Sequence, residues 1–469
     1  MEVFILIRNR KEIGLSETIA AISTATGPGG IGIVRLSGDQ ALEIGQKMFQ
    51  TIDRKPLDLD KNRLLQYGHI MDSNQVIDEV LTVSMKGPGT YTREDMVEIY
   101  CHGGRIALSK VLDYALRLGA RMAEPGEFTK RAFLNGRLDL SQAESVIDLI
   151  EAKSNQAYEQ GLLQLSGALG QEFREIEDKL MEVTGLIVAN IDFPEDDIEL
   201  LNREKFQELA QDLLDRVNHL IQSASRGKML KDGIKTVIVG KPNVGKSSLL
   251  NVLLKEDRAI VTDIPGTTRD SIEEYISLDD VVLHIIDTAG IRQTEDKVEK
   301  IGVERSVAAM DQADIILALF DQSRPLDQED QDLMDLLKDR KVLYILNKSD
   351  EKGKWDQDFK DFFQGKETFS ISVLNKEGIQ DLEEALKNIY YDGQVDVQGL
   401  AVTNLRQLDA LRRTKKSIEA IKDGVEMDVP MDCIEVDVRE ALNSIGEITG
   451  QTVTEDILDR IFHDFCIGK

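Results

Sequence analysis

The sequence predicts a multidomain α+β chain: an N-terminal α+β domain, a helical domain discontinuous in sequence, and an α/β domain inserted into it. Three observations predict this. At roughly 150 residues per domain, a length of 469 gives about three domains. The apolar pattern changes from short Gly-broken runs to a period near 3.6, then to strand–helix alternation, then back to helix. The alternating stretch also opens on a glycine-rich turn between a strand-like and a helix-like run.

The elements follow in order. Residues 1–16 fit no element and are left unassigned. Residues 17–124 carry the apolar runs Ile31–Leu36, Val80–Met85 and Met96–Tyr100 and one helical stretch, Ile106–Leu118. Residues 125–232 have the helical period (Ala143, Val146, Ile147, Ile150) and few glycines, so long helices are expected, broken at Asp192-Phe-Pro194. Residues 233–391 alternate strand and helix from Lys235–Val239 onward, as a parallel sheet requires. Residues 392–469 return to helix through Leu405–Ile421 and Val438–Ile461.

Charge is unevenly distributed. The chain carries 57 Lys and Arg against 85 Asp and Glu, a net of −28. Residues 1–140 are nonetheless neutral, with 18 of each sign, and hold Lys130, Arg131 and Arg137 close together. The acidic excess lies entirely after residue 140, so any phosphate contact is expected away from the helical and α/β domains. Three dispersed cysteines (Cys101, Cys433, Cys466) exclude a disulfide framework or zinc cluster and suggest a reducing cytoplasm. The N-terminal apolar run precedes Arg8, Arg10 and Lys11, the reverse of a signal peptide, and no run is long enough to span a membrane. A soluble, cytoplasmic protein is expected.

The informative chemistry lies in residues 233–391. Gly240-Lys-Pro-Asn243-Val244-Gly245-Lys246-Ser247 matches G-x-x-x-x-G-K-[ST] between a strand and the helical Ser248–Leu254, the setting a P-loop needs. Backbone N–H groups there wrap phosphates at a helix N-terminus. Lys246 is placed to reach the β- and γ-phosphates and Ser247 to ligate Mg²⁺. Asp287-Thr288-Ala289-Gly290 ends the strand Val281–Ile286, and Asn347-Lys348-Ser349-Asp350 follows Val342–Leu346. The Asp350 carboxylate can accept from guanine N1–H and the exocyclic amine, which adenine cannot reproduce. Ser372 falls where a loop near guanine O6 belongs. Between them Thr262-Asp263-Ile264-Pro265-Gly266-Thr267-Thr268 is a polar loop suited to a switch. Together these motifs predict a Ras-like P-loop domain that binds and hydrolyses GTP. Ras-like proteins orient water with a Gln after Asp-x-x-Gly; here that position is Ile291, so another group must act, and Glu295, Asp296 and Glu299 are open on spacing alone.

The chain resembles the MnmE (TrmE) family of tRNA-modification GTPases. The resemblance rests on the motifs above and on Gly30–Gly38, Tyr91–Glu98, His102-Gly-Gly104, Pro125–Leu140 and the terminal Cys466-Ile-Gly-Lys469. It covers about residues 17–469. It implies a G domain inserted into a helical domain, and an N-terminal domain that forms a homodimer and binds a tetrahydrofolate (5-formyl or 5,10-methylene). It also implies an FAD-dependent partner, MnmG (GidA), in a heterotetramer or larger assembly. Together they modify C5 of the wobble uridine of tRNA with an aminomethyl or carboxymethylaminomethyl group. The resemblance implies K⁺-promoted hydrolysis, with Asn243, Thr262, Ile264 and Thr267 contacting K⁺, Ser247 and Thr268 contacting Mg²⁺, and Glu299 orienting the water. It places folate on Arg35, Glu98, Arg137 and Lys469, and ties Cys466 to the modification.

From the residues alone, Glu98 also fits an exposed strand position, Arg137 a surface helix charge, and Cys466 a small buried apolar residue. Two other classes share the nucleotide motifs: a ribosome-assembly GTPase and a scaffold GTPase with folate as a structural ligand. Ribosome-assembly GTPases usually carry a second G domain or a basic RNA-binding appendage. Here one G domain is followed by 78 residues of net charge −7.

Overall fold

A computed structural model describes residues 17–25, 27–192, 199–254, 259–260, 274–279, 281–286, 307–351, 362–391 and 399–469. The chain divides into two compact units. The first runs to Ile150 and adds Leu162–His219 and Arg406–Lys469; the second holds Glu151–Gly161 and Leu220–Leu405.

The first unit contains a seven-stranded sheet in the order β3-β4-β5-β6-β2-β1-β7. Its strands are β1 (Ile19–Ile22), β2 (Ile31–Ser37), β3 (Phe49–Thr51), β4 (Gln66–Asp72), β5 (Gln75–Met85), β6 (Met96–His102) and β7 (Arg121–Met122). The period-2 alternation of β2 sends Val34 and Leu36 into a core with Ile44 and Met48 of helix α1 (Ala41–Met48) and Val111 of α2 (Arg105–Arg117). The opposite face of β2 therefore carries Ile33 and Arg35. Antiparallel pairing with β6 sets Arg35 directly across from Glu98.

The helical part of this unit draws on both ends of the chain. It includes α3 (Glu127–Leu134), α4 (Leu140–Ile150), α6 (Ala168–Asp192, following α5 at Asn155–Leu165), α11 (Leu405–Glu426), α12 (Met431–Thr449) and α13 (Glu455–His463). Pro194, where a break is expected, lies outside the described residues, which resume with α7 (Glu199–Asp232). The expected run Val438–Ile461 is two helices, because Gly450 adopts φ 92° and caps α12. The two sequence-distant parts are joined by a nearly buried ion pair. Arg406 donates through Nε and Nη2 to both Glu144 oxygens at 2.9 Å, and Gln407 adds a third bond at 2.6 Å. Removing Glu144 would strand Arg406 among half-buried neighbours, a loss of about 3 kcal/mol.

The second unit is built on a sheet ordered β14-β13-β12-β8-β11-β10-β9. The strands are β8 (Ile234–Gly240), β9 (Ala259–Ile260), β10 (Glu274–Leu278), β11 (Val281–Ile286), β12 (Ile315–Asp321), β13 (Val342–Asn347) and β14 (Thr368–Ser370). Five are mutually parallel, and β10 and β9 extend the edge antiparallel. All seven residues of β12 are buried, as expected of a central parallel strand covered on both faces. Helices α8 (Lys246–Leu254), α9 (Gln328–Leu336) and α10 (Ile379–Tyr391) belong to this unit. Among the described residues no helix is long and apolar enough to cross a membrane.

Candidate functional site

The chain leaves β8 at Gly240 and re-enters regular structure at Lys246, so the loop between lies at the carboxyl end of a central parallel strand. Asn243 (φ 63°) and Gly245 (φ 104°) take left-handed backbone there, turning successive amides into a concavity that suits an anion. A side chain at Gly245 is excluded, since its Cβ would lie 2.3 Å from Asn347 Nδ2. The Lys246 ammonium folds back across the loop and donates to the Gly240 and Lys241 carbonyls at 2.7 and 2.8 Å. Burial pulls its pKa below the usual lysine range. A phosphate chain entering the loop would restore a partner of opposite charge.

The Asn347–Asp350 motif is tied directly to this loop. Asn347, at the end of β13 and 4% exposed, donates from Nδ2 to the Val244 carbonyl at 2.8 Å. Its Oδ1 accepts from the Val373 N–H at 3.1 Å. Ser372, fully buried, donates to Asp350 Oδ1 at 2.5 Å, and the Ser349 N–H bonds the Ile371 carbonyl. Lys348 has φ 68° and its ammonium meets Asp321 Oδ2 at 2.6 Å. Burial raises the Asp321 pKa, but Lys348 and Ser323 outweigh it, and the carboxyl stays below its ordinary value. The loop, the Asp350 carboxylate and Ser372 thus form one connected cradle. Ser247 and Ser248 open α8 beside it. Thr262, Asp263, Ile264, Pro265, Gly266, Thr267, Thr268, Asp287, Thr288, Ala289, Gly290 and Glu299 lie outside the described residues.

A second polar site sits on the face of the first unit's sheet opposite α1 and α2, beside the buried cluster of Ile19, Ala21, Met96 and Phe128. Arg35 Nε donates to Glu98 Oε1 at 2.8 Å, and the Tyr100 hydroxyl donates to Glu98 Oε2 at 2.9 Å. Burial, then the Glu98 carboxylate, raises the Tyr100 pKa. The C-terminal tail docks here. Arg35 Nη1 donates to the Gly468 carbonyl at 3.3 Å, Phe128 N–H to the Lys469 carbonyl at 3.2 Å, and Ile467 bridges Pro125. Gly468 has φ 94°, and a Cβ there would lie 2.3 Å from the Ile22 carbonyl oxygen. Phe128 packs beneath the Arg35 guanidinium, 5.6 Å from ring centroid to Cζ. Tyr91 packs against the cluster holding Phe128, and Arg137 stacks on the Tyr91 ring at 4.5 Å. Arg35 and Glu98 therefore meet directly, Lys469 is brought near them only through the main chain of the docked tail, and Arg137 is linked to the Phe128 cluster through Tyr91.

Comparison with known proteins covers both units. The profile described as MnmE helical domain matches residues 140–466, and that of the GTP-binding protein TrmE N-terminus matches residues 18–137. The tRNA modification GTPase MnmE of Finegoldia magna is 50% identical over 456 residues, spanning 97% of this chain and 100% of that protein. The chain belongs to the MnmE family. Its counterparts of the same name in Alkaliphilus oremlandii and Clostridioides difficile are each 47% identical, over 459 and 457 residues, again with 97% of this chain and 100% of theirs covered.

Within the MnmE family the structure bears on the other readings of three of these residues. Glu98 is a strand residue, but its side chain is 14% exposed and ion-paired rather than solvated. Arg137 follows the end of α3 and is exposed, yet it is oriented by Tyr91. Cys466 is exposed, which removes the buried apolar reading. The expected basic group at Lys130, Arg131 and Arg137 does not present three charges. Arg131 is fully buried between Glu127 and Glu94, and Lys130 is paired with Asp459. Tyr100 and Asp321 carry no functional expectation from the sequence, and Tyr91 enters it only as the first residue of a motif. The signal for Tyr100 was available, since period 2 from Glu98 puts it on the same face.

Proposed function

We propose that this chain is a K⁺-stimulated GTP hydrolase of the MnmE family. With the FAD-dependent MnmG, it uses a one-carbon tetrahydrofolate to place an aminomethyl or carboxymethylaminomethyl group on C5 of the wobble uridine of tRNA. The observation that carries the reading is the connected cradle, in which Asn347 ties the phosphate loop to the base-reading Asp350. Asp350 accepts from guanine N1–H and the exocyclic amine, Ser372 steadies that carboxylate, and Lys246 meets the β- and γ-phosphates. Ser247 and Thr268 would hold Mg²⁺, and Asn243, Thr262, Ile264 and Thr267 would hold K⁺; the two cations would supply positive charge beside the phosphates. The amide, hydroxyl and carbonyl oxygens in those sets are hard donors suited to such cations. Glu299 orients the attacking water in place of the glutamine that Ile291 displaces.

The tetrahydrofolate reading rests on Arg35, Glu98, Arg137 and Lys469. A carboxylate such as Glu98 accepts from pterin amino and amide hydrogens, and the cations suit carbonyl, formyl and glutamate oxygens. Cys466 lies exposed in the same tail. The domain plan is residues 17–124 for folate binding and homodimerisation, 125–232 and 392–469 for the helical domain, and 233–391 for the G domain. The protein works in the cytoplasm.

The direct test compares steady-state GTP hydrolysis in K⁺ and Na⁺, with and without the flavoprotein. Hydrolysis should be faster in K⁺, and Asn243→Ala should erase that difference. Glu299→Ala should cut turnover by about 10²-fold or more with GTP affinity retained. Equal rates in the two salts for the unaltered protein would refute the cation role.

A further inference from the structure

The chain's acidity makes any local concentration of uncompensated positive charge informative. Residues 61–64 (Lys-Asn-Arg-Leu), 86–93 (Lys-Gly-Pro-Gly-Thr-Tyr-Thr-Arg) and 135–137 (Asn-Gly-Arg) contain five cations and no carboxylate. The fold brings these three segments together. The Lys86 N–H donates to Asn62 Oδ1 at 3.0 Å, Arg63 Nη2 donates to the Gly89 carbonyl, and Arg93 Nη1 donates to the Asn135 carbonyl at 2.9 Å. Arg137 closes the series through the Tyr91 carbonyl at 3.3 Å. The three segments thus converge on loop 86–93, a hairpin connection whose ends lie together, since a Cβ on Gly87 would sit 2.7 Å from the Arg93 carbonyl oxygen. All five side chains are exposed.

Of the neighbouring carboxylates, Glu94 and Asp95 are turned elsewhere, while Asp58 and the exposed Asp60 flank Lys61. Glu94 accepts from Ser37 and from the buried Arg131, and Asp95 accepts from the Gly87 N–H. Asp58 stands 3.8 Å from Lys61, a loose contact between two solvated groups. Arg63, Arg93 and Arg137 are oriented by backbone carbonyls, which fix the guanidinium without neutralising it. That arrangement leaves N–H donors and charge for an outside anion.

We infer that this stripe is the chain's own contact with the phosphate backbone of RNA. The inference rests on the tRNA-modification reading and adds to it the surface that touches the nucleic acid. A polyanion with regularly spaced phosphates matches cations displayed along exposed loops better than a small ligand, which needs a walled pocket. The stripe also begins at Arg137, beside the Arg35–Glu98 site, so an RNA held on it lies next to the candidate one-carbon donor. Four to five contacts make a weak, salt-sensitive grip, consistent with a partner protein supplying the remainder.

The test uses the full-length chain and an unmodified tRNA transcript with uridine at the wobble position. Binding is followed by fluorescence anisotropy across a salt series. The quadruple variant Lys61→Gln/Arg63→Gln/Lys86→Gln/Arg93→Gln should bind at least about tenfold more weakly, with a log K against log salt slope shallower by about 3. GTP hydrolysis and the thermal transition should be unchanged. Arg63→Lys/Arg93→Lys should keep the slope, and Arg412→Gln/Lys416→Gln on α11 should leave binding as it was. Equal affinity and slope for wild type and quadruple variant overturn the inference, as does salt-independent binding by the wild type. Loss of affinity for a folate with several γ-linked glutamates, with tRNA binding retained, also overturns it and reassigns the stripe to a folate tail. The tRNA-modification reading fails separately, if deleting the gene leaves the wobble nucleosides unaltered.

Discussion

The nucleotide cradle and the Arg35–Glu98 site are both polar constellations on sheets, yet they are assembled in opposite ways. In the cradle each motif is a short contiguous run at the end of a parallel strand, and one buried side chain, Asn347, joins two of them. In the second site the partners come from opposite ends of the chain, as with Arg35 and the Gly468 carbonyl, 433 residues apart. A cradle of local motifs keeps its shape as long as the sheet is intact. A site completed by a four-residue tail depends on that tail staying docked, so it should be the easier of the two to dismantle.

Selective damage sharpens this contrast. The largest effect is expected from Lys246→Ala, which should lower GTP turnover by about 10²–10³-fold. Tetrahydrofolate binding should be untouched, and parallel loss of both would show that the sites are not independent. Asp350→Asn should exchange base preference, because an amide can donate to the C2 carbonyl of xanthine where the carboxylate accepted from guanine. The ratio of GTP to xanthosine triphosphate hydrolysis should fall by about 10²-fold; an unaltered ratio would remove Asp350 from base reading.

On the other side, Gly468→Ala forces a side chain onto left-handed backbone and against the Ile22 carbonyl. A cost of about 1–3 kcal/mol to tail docking is expected, read as folate affinity reduced tenfold or more by calorimetry with GTP turnover retained. Tyr100→Phe removes one hydrogen bond from the Glu98 carboxylate, worth about 1 kcal/mol, so folate affinity should fall about fivefold.

The smallest expected effect is on pH dependence. Burial raises the Glu127 pKa, but Arg121, the Glu124 N–H and Arg131 outweigh it and hold the carboxyl below its ordinary range. Its contribution is therefore present above the ordinary glutamate range and lost as pH falls through and below it. Urea midpoints of the first unit should decline on acidification, and Arg131→Met should flatten that decline.

How much could be read in advance follows the same division. The strand Val281–Ile286 has the bounds its apolar run predicted, and Lys246–Leu254 is helical as the P-loop context required. These depend on contiguous residues and on local rules of period and turn chemistry. Helix on both sides of the α/β domain suggested that the two helical segments belong together, but the Glu144–Arg406 contact that joins them could not be read, because no local signal pairs residues 262 apart. Arg131 looked like a surface cation because sequence shows charge but not the carboxylates that fold around it. Gly450 was legible as a helix stop but was passed over within an otherwise helical pattern. The basic stripe was hidden for the same reason as the tail site: its three segments are each unremarkable until the fold places them side by side.

The proposed function requires one chain to carry a nucleotide site and a one-carbon site that are separately breakable and jointly required. Nucleoside mass spectrometry of tRNA tests this most directly, in cells lacking the gene and complemented with the unaltered chain, with Lys246→Ala, or with Glu98→Gln. The wobble-uridine modification should return only with the unaltered chain, although the Glu98→Gln protein still hydrolyses GTP. Full modification in cells carrying Glu98→Gln would contradict it.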